Sequence, residues 1–233
     1  PEGLKRIARH IFSMACTLAG ALNKLGYTIK HEQFFDTVCV QAIPGITSEM
    51  IEKIALRRGI NLWYPCANCV LISTDEVTTL KEINEIVAIF AEAAGKKAEE
   101  VTSLCDCFCI DEKFQRKSAF LEEHNFNSYH SETDLMRYIK MLERKDFSLA
   151  NGMIPLGSCT MKLNSAVSMY AMSWPEFGNI HPFVPADQAE GYHKMMEELG
   201  EALKEITGFD AVSFQPNSGA AGEYSGLMVI RQY

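Results

Sequence analysis

Apolar residues return every three or four positions along the start of the chain: Leu4, Ile7, Ile11, Met14, Leu18, Leu22 and Leu25. That spacing predicts an amphipathic helix, and Gly26 stands where a left-handed C-terminal cap belongs. The period then shortens. Phe34-Phe35-Asp36-Thr37-Val38-Cys39-Val40 is rich in aromatic and β-branched residues and predicts a strand. Thr47 or Ser48 can cap a helix running to about Arg58, with Gly59 ending it. A short strand is expected over residues 60–64, a turn over 65–68 and another strand over 69–73. Thr79 with Glu82 three positions on is a capping box, and Leu80, Ile83, Ile86, Val87 and Phe90 share one face of the helix behind it. Residues 1–95 therefore form an α+β unit, its sheet covered by helices on one face.

No sustained period runs through residues 96–130, which are expected to be a connector with local turns. Over 131–145 the helical period resumes. Ser131, Glu132 and Thr133 offer a cap, and Leu135, Met136, Ile139 and Leu142 make a stripe. A loop rich in Gly, Ser, Pro and Asn follows, over 151–164. Tyr192, Met195, Met196, Leu199, Leu203 and Ile206 then predict a strong helix closed by Gly208. Ala211-Val212-Ser213-Phe214 reads as a strand, Asn217-Ser218-Gly219-Ala220 as a tight turn, and the residues from Ala221 on as a helix. The expected organisation is a small domain over 1–95, a connector with a helix over 96–145, and the opening of a further domain over 146–233.

Composition changes this picture little. The chain has 233 residues, 47% hydrophobic and 22% charged, as a globular core requires. Its net charge of −8 argues against nucleic acid as a partner, which would call for a basic stripe. No apolar run approaches the roughly 20 residues of a membrane span. The chain starts at Pro1 without a Met or a signal-type apolar segment and ends inside a helical pattern at Tyr233, so it is read as a piece cut at both ends.

Chemistry concentrates in three places. The first is the strand–turn–helix at Phe214-Gln215-Pro216-Asn217-Ser218-Gly219-Ala220-Ala221-Gly222-Glu223-Tyr224. A helix N-terminus offers free N–H groups and partial positive charge, Gly219 permits close approach, and the Ser218 hydroxyl adds a donor. Together these suit a phosphate, although an ordinary capped helix entry has the same pattern. The second is Ile154-Pro155-Leu156-Gly157-Ser158-Cys159-Thr160-Met161-Lys162-Leu163-Asn164. Ser158 beside Lys162, or Cys159 alone, could act as a nucleophile, but no base is identifiable and the bland reading is a polar, hydrogen-bonding loop. The third is cysteine. Of eight, Cys66 and Cys69 have the spacing of half a zinc knuckle, and Cys105, Cys107 and Cys109 alternate faces if extended, which is not the usual ligand spacing. No zinc site is expected. Without a secretory context, reduced thiols are the default. The six histidines are scattered, with His181 placed in a loop before Pro182-Phe183.

Several segments together resemble the glycine decarboxylase family, the P-protein of the glycine cleavage system. They are Asn127-Ser128-Tyr129-His130-Ser131-Glu132-Thr133, the run from Met153 through Gly157-Ser158-Cys159-Thr160 to Asn164, Asn179-Ile180-His181-Pro182-Phe183-Val184-Pro185, Asp187-Gln188-Ala189-Glu190-Gly191-Tyr192, and Gln215-Pro216-Asn217-Ser218-Gly219-Ala220 followed by Gly222-Glu223-Tyr224. Their order and spacing over residues 115–233 make the match specific. Residues 1–95 resemble the family more loosely, through the first helix and Phe34-Phe35-Asp36-Thr37. The sequence departs from the family pattern at Glu123 and Asn125, which stand where His and Val are usual, with His124 one place late. The cysteines at 105–109 have no family counterpart.

The resemblance implies an α/β enzyme of the fold-type-I pyridoxal phosphate (PLP) transferase-like class, built from two related halves and here truncated. It implies decarboxylation of glycine and transfer of the aminomethyl group to the lipoamide arm of the H-protein, in a homodimer or a heterotetramer of halves. Carried over by position, Ser218, Gly219 and Ala220, with Asn217, would hold the cofactor phosphate, and Ser158, Cys159, Thr160, His181 and Glu223 would line the pocket. The family's Schiff-base lysine, pyridine-facing aspartate and ring-stacking histidine belong to later segments, so the chain alone is expected to be inactive and Lys162 is no substitute. A bacterial cytoplasm is the expected compartment, with the mitochondrial matrix as alternative. A different class of reading, a non-catalytic regulatory or scaffolding subunit of the same fold, would keep the packing and lose the cofactor.

Overall fold

A computed structural model of the chain describes residues 1–106, 110–148, 150–153 and 165–233. It divides into two units, Pro1–Leu135 and Met136–Tyr233.

The first unit begins with helix α1 (Glu2–Lys24), followed by β1 (Thr28–Ile29), β2 (Thr37–Gln41), α2 (Ser48–Arg57), β3 (Trp63–Cys66), β4 (Cys69–Ser73) and α3 (Leu80–Ala93). The strands form one antiparallel sheet in the order β1-β2-β4-β3. Register pairs Val38 with Ile72 and Val40 with Val70. Alternation along a strand puts these four on one face, where they join Leu18, Leu22, Ile51, Ile83, Val87 and Phe90 of the helices in a single core. The predicted caps hold. Thr47 accepts from the Met50 N–H, and at α3 the Thr79 hydroxyl accepts from the Glu82 N–H (3.4 Å) while Glu82 accepts from the Thr79 N–H (2.7 Å). Gly26 and Gly59 follow their helices at φ 94° and 71°, the left-handed region that other residues avoid.

Two details differ from the sequence reading. The stripe on α1 is buried only from its middle: Leu4 and Ile7 are exposed, whereas every residue from Phe12 to Ala19 is buried. The sheet covers one side there, and the connector covers part of the other. The Cys105 N–H donates to Thr17 Oγ1 (2.8 Å), which itself donates to the Ser13 carbonyl (2.6 Å). The connector is also fastened to α3, because the Asn84 amide donates to the Val101 carbonyl (3.0 Å) and accepts from the Val101 N–H (2.8 Å).

Cysteine chemistry is the second difference. Cys66 and Cys69, expected as reduced thiols, are joined by a disulfide. The physical reason is local: they are register partners across a two-residue turn, so the hairpin itself brings their sulfurs together. Among the described residues no three His, Cys, Asp or Glu side chains converge as metal ligands would, and Cys107 and Cys109 lie outside those residues.

Helix α4 (Glu132–Glu143) starts in the first unit and continues into the second, and the Ser131 hydroxyl accepts from the Asp134 N–H (3.1 Å) at its start. The second unit goes on with α5 (Ala166–Tyr170), α6 (Pro175–Gly178), α7 (Glu190–Thr207) and α8 (Gly219–Gln232), with 3-10 turns at Ala171–Ser173 and Ala186–Gln188. Gly208 closes α7 in the left-handed conformation (φ 74°), its N–H donating to the Lys204 carbonyl. The strand expected over 211–214 is not formed. A strand needs a neighbour for its N–H and C=O groups, and all described strands belong to the sheet of the first unit. None of the described residues of α5 to α8 is buried. Among the described residues no helix is long and apolar enough to cross a membrane.

Candidate functional site

The turn at Asn217 to Ala220 is built by capping. Ser218 is extended (φ −157°, ψ 164°), as an N-cap residue must be, and its Oγ accepts from the Ala221 N–H (3.2 Å). The Gly222 N–H donates to the Ser218 carbonyl (2.9 Å), closing the first turn of α8. The N–H groups of Gly219 and Ala220, first in the helix, have no carbonyl four residues back within it. They point out at the positive end of the helix dipole, and no acidic residue occupies the first turn to neutralise it.

The donor set fits an anion. Accepting from Ala221 leaves the Ser218 hydroxyl hydrogen free to donate outward. A Cβ built on Gly219 would meet no atom within 4 Å, so the mouth of the helix is open and the glycine backbone can be approached directly. Two main-chain N–H donors and one hydroxyl on a helix N-terminus are a donor set that suits an anion such as phosphate. Asn217 to Ala220 are all exposed.

The pocket candidates are less gathered. Ser158, Cys159 and Thr160 lie outside the described residues. His181 is exposed, and its Nδ1 accepts from the Phe183 N–H (3.0 Å), with the two rings 5.9 Å apart. A neutral imidazole accepting at Nδ1 carries its proton at Nε2, so His181 presents a donor outward. Glu223 lies four residues after Gly219, on the same helical face, and is exposed. Among the described residues no hydrogen bond or ion pair joins His181 to Glu223 or to the Asn217–Ala220 turn.

One positioning contact escaped the sequence reading. The Tyr192 hydroxyl on α7 donates to the Phe177 carbonyl on α6 (2.7 Å), and the two rings meet edge to face at 5.6 Å. This clasp anchors the chain just before His181. Fifteen residues separate the partners, and no local period signals such a pairing.

Comparison with known proteins finds relatives along the whole chain. The sequence profile of the family described as "Glycine cleavage system P-protein" matches residues 1–90, the part whose resemblance is looser by motif. Proteins named "Glycine dehydrogenase (decarboxylating)" align with the whole chain: that of Christiangramia forsetii is 48% identical over 233 residues, and that of Flavobacterium johnsoniae 49%. The Vibrio cholerae protein of the same name is 47% identical over an alignment of 239 residues. In each case the aligned stretch covers 100% of this chain and 24% of the relative. Over its full length the chain is thus similar to glycine dehydrogenases (decarboxylating), its first 90 residues match the P-protein family profile, and it spans about a quarter of the length of the curated relatives it matches.

Proposed function

We propose that the chain is part of a PLP-dependent enzyme that decarboxylates glycine and passes the remaining aminomethyl group to the lipoyl arm of the H-protein. The observation that carries this reading is the end-to-end identity of 48% to a protein named glycine dehydrogenase (decarboxylating). The capped turn supports it independently. In this reading the chain supplies the small domain of one half over 1–95, a connector over 96–145 and the opening of a PLP-binding half over 146–233, in the fold-type-I transferase-like class. The enzyme works as a homodimer or a heterotetramer of halves in a bacterial cytoplasm. The three relatives named above are bacterial proteins.

When bound, PLP supplies an electron sink for the electron pair left on the substrate carbon as carbon dioxide departs. The chain's residues hold and orient. Gly219 and Ala220 would offer their N–H groups and Ser218 its O–H to the cofactor phosphate, with Asn217 in the same turn. His181 offers its Nε2–H to an acceptor in the pocket. Glu223 would lie near the same cofactor, and the family resemblance assigns Ser158, Cys159 and Thr160 to the pocket as well.

The test places this chain's residues in an enzyme of full family length. The matching stretch of the Flavobacterium johnsoniae relative is replaced by this sequence, and PLP retention and glycine-dependent carbon dioxide release are measured. Activity with tightly held PLP is expected. In that background Ser218→Ala should weaken PLP retention about tenfold, the worth of a hydrogen bond to a charged group. A folded chimera that never takes up PLP would reject the reading. The 233-residue chain alone should release no carbon dioxide from glycine.

A further inference from the structure

Away from the turn and pocket, Cys66 and Cys69 flank the two-residue turn Ala67-Asn68 that joins β3 to β4. They face each other in register, Cα atoms 5.3 Å apart and sulfurs bonded. That separation is within the range a disulfide needs. Both carbonyls of the turn are engaged elsewhere. Ala67 accepts from the Ser48 N–H at the start of α2 (2.9 Å), and Asn68 accepts from the Ala42 N–H just after β2 (2.9 Å). The turn is therefore fixed by backbone bonds that do not involve sulfur. The loop that the disulfide closes is very short, so the bond removes little chain freedom and the hairpin stands without it.

Access separates this pair from two other described cysteines. Cys66 is exposed and Cys69 half-buried, whereas Cys16 and Cys39 are buried. Thiol–disulfide exchange needs a sulfur that a small molecule can reach in line, with a second thiol held near enough to resolve the mixed disulfide. The hairpin provides both. Asn68 Oδ1 lies 3.1 Å from the Cys66 sulfur, where it can accept the thiol hydrogen of the reduced state.

We propose that Cys66 and Cys69 form a reversible dithiol–disulfide site that exchanges with low-molecular-weight thiols and disulfides of the glutathione kind. In the oxidising direction the Cys66 thiolate attacks a sulfur of glutathione disulfide, forming a mixed disulfide and releasing one glutathione thiolate. The Cys69 thiolate then attacks Cys66 Sγ, forming the Cys66–Cys69 bond and releasing the second glutathione. Two thiol protons pass to solvent, and the electron pair passes from the protein sulfurs to glutathione disulfide, which is reduced to two glutathiones. Reduction runs the same steps backwards.

Trypsin cuts after Arg58 and Lys81, and the peptide 59–81 carries only these two cysteines. The folded full chain is equilibrated in glutathione buffers from reducing to oxidising, free thiols are blocked with N-ethylmaleimide, and the peptide is weighed. A doubly blocked peptide under reducing conditions should give way, as the buffer is made oxidising, to an unblocked peptide lighter by two hydrogens than the dithiol. Cys66→Ser should lose the unblocked form completely. Double blocking at every ratio overturns the proposal, and so does a glutathione adduct as the oxidised end state. A peptide that stays unblocked in excess reduced glutathione overturns reversibility. Amide exchange at Ala42 and Ser48 should be equally slow in both states, and loss of that protection on reduction would show that the disulfide, not the backbone, holds the turn.

Discussion

Two tyrosines show how the same group is stabilised or strained by its partner. Tyr27 is buried, packs edge to face on Phe90 at 5.0 Å and donates its hydroxyl to the Phe90 carbonyl (2.9 Å). The Tyr64 hydroxyl is also buried but has no hydrogen-bond partner among the described residues. Burial raises the pKa of each from 10.0 to about 12, and the Glu52 carboxylate adds to the rise at Tyr64. A folded pKa above the ordinary value means the folded chain holds the phenol proton more tightly than the unfolded one. The stability this brings is complete below pH 10 and is lost as pH rises from 10 through about 12. Unfolding by denaturant across that range should show the fall. Tyr27→Phe should cost about 1 kcal/mol at neutral pH, whereas Tyr64→Phe, which removes an unmet donor, should cost nothing or stabilise. Both variants should flatten the alkaline fall.

At the scale of elements, α1 carries one stripe with two fates. Leu18 is fully buried and Leu4 is 53% exposed. Leu18→Ala should lower stability by about 2–5 kcal/mol, the cost of an unfilled core site. Leu4→Ala should change it by less than about 0.5 kcal/mol, as at most surface positions. Thermal or denaturant unfolding of the two variants side by side would check this. The period that reveals α1 in the sequence cannot distinguish these residues, because burial depends on how far the sheet and connector reach. Thr47, Thr79, Glu82 and the glycines after α1 and α2 were legible because a cap is decided within four residues. β1 was not, since Thr28 and Ile29 are strand only by pairing with Gln41 and Val40. Residues 211–214 show the converse: a β-rich run without a partner forms no strand. At the candidate site, Ser218 and Gly219 were legible for the same local reason as the other caps. The placing of Tyr192 against Phe177 was not, because it depends on how two helices meet.

For the whole molecule, the contrast lies between the two units. The buried core belongs to the first, and α7 leaves Met195, Leu199 and Ile206 exposed. Helices held by few buried contacts open locally with little free energy. Amide hydrogen exchange of the chain should therefore be slow in the central turns of α1 and α3 and fast throughout α7 and α8; equal protection in both sets would contradict the packing described here. The sheet of the first unit carries a further consequence at its margins. One outer strand, β1, has only two residues, and the other, β3, is broken in register between Trp63 and Cys66, where Pro65 has no N–H to offer. Short, interrupted borders are poor templates for the strands of neighbouring molecules. The domain is thereby guarded against edge-to-edge fibril growth, and replacing Pro65 with a β-branched residue would remove part of that guard.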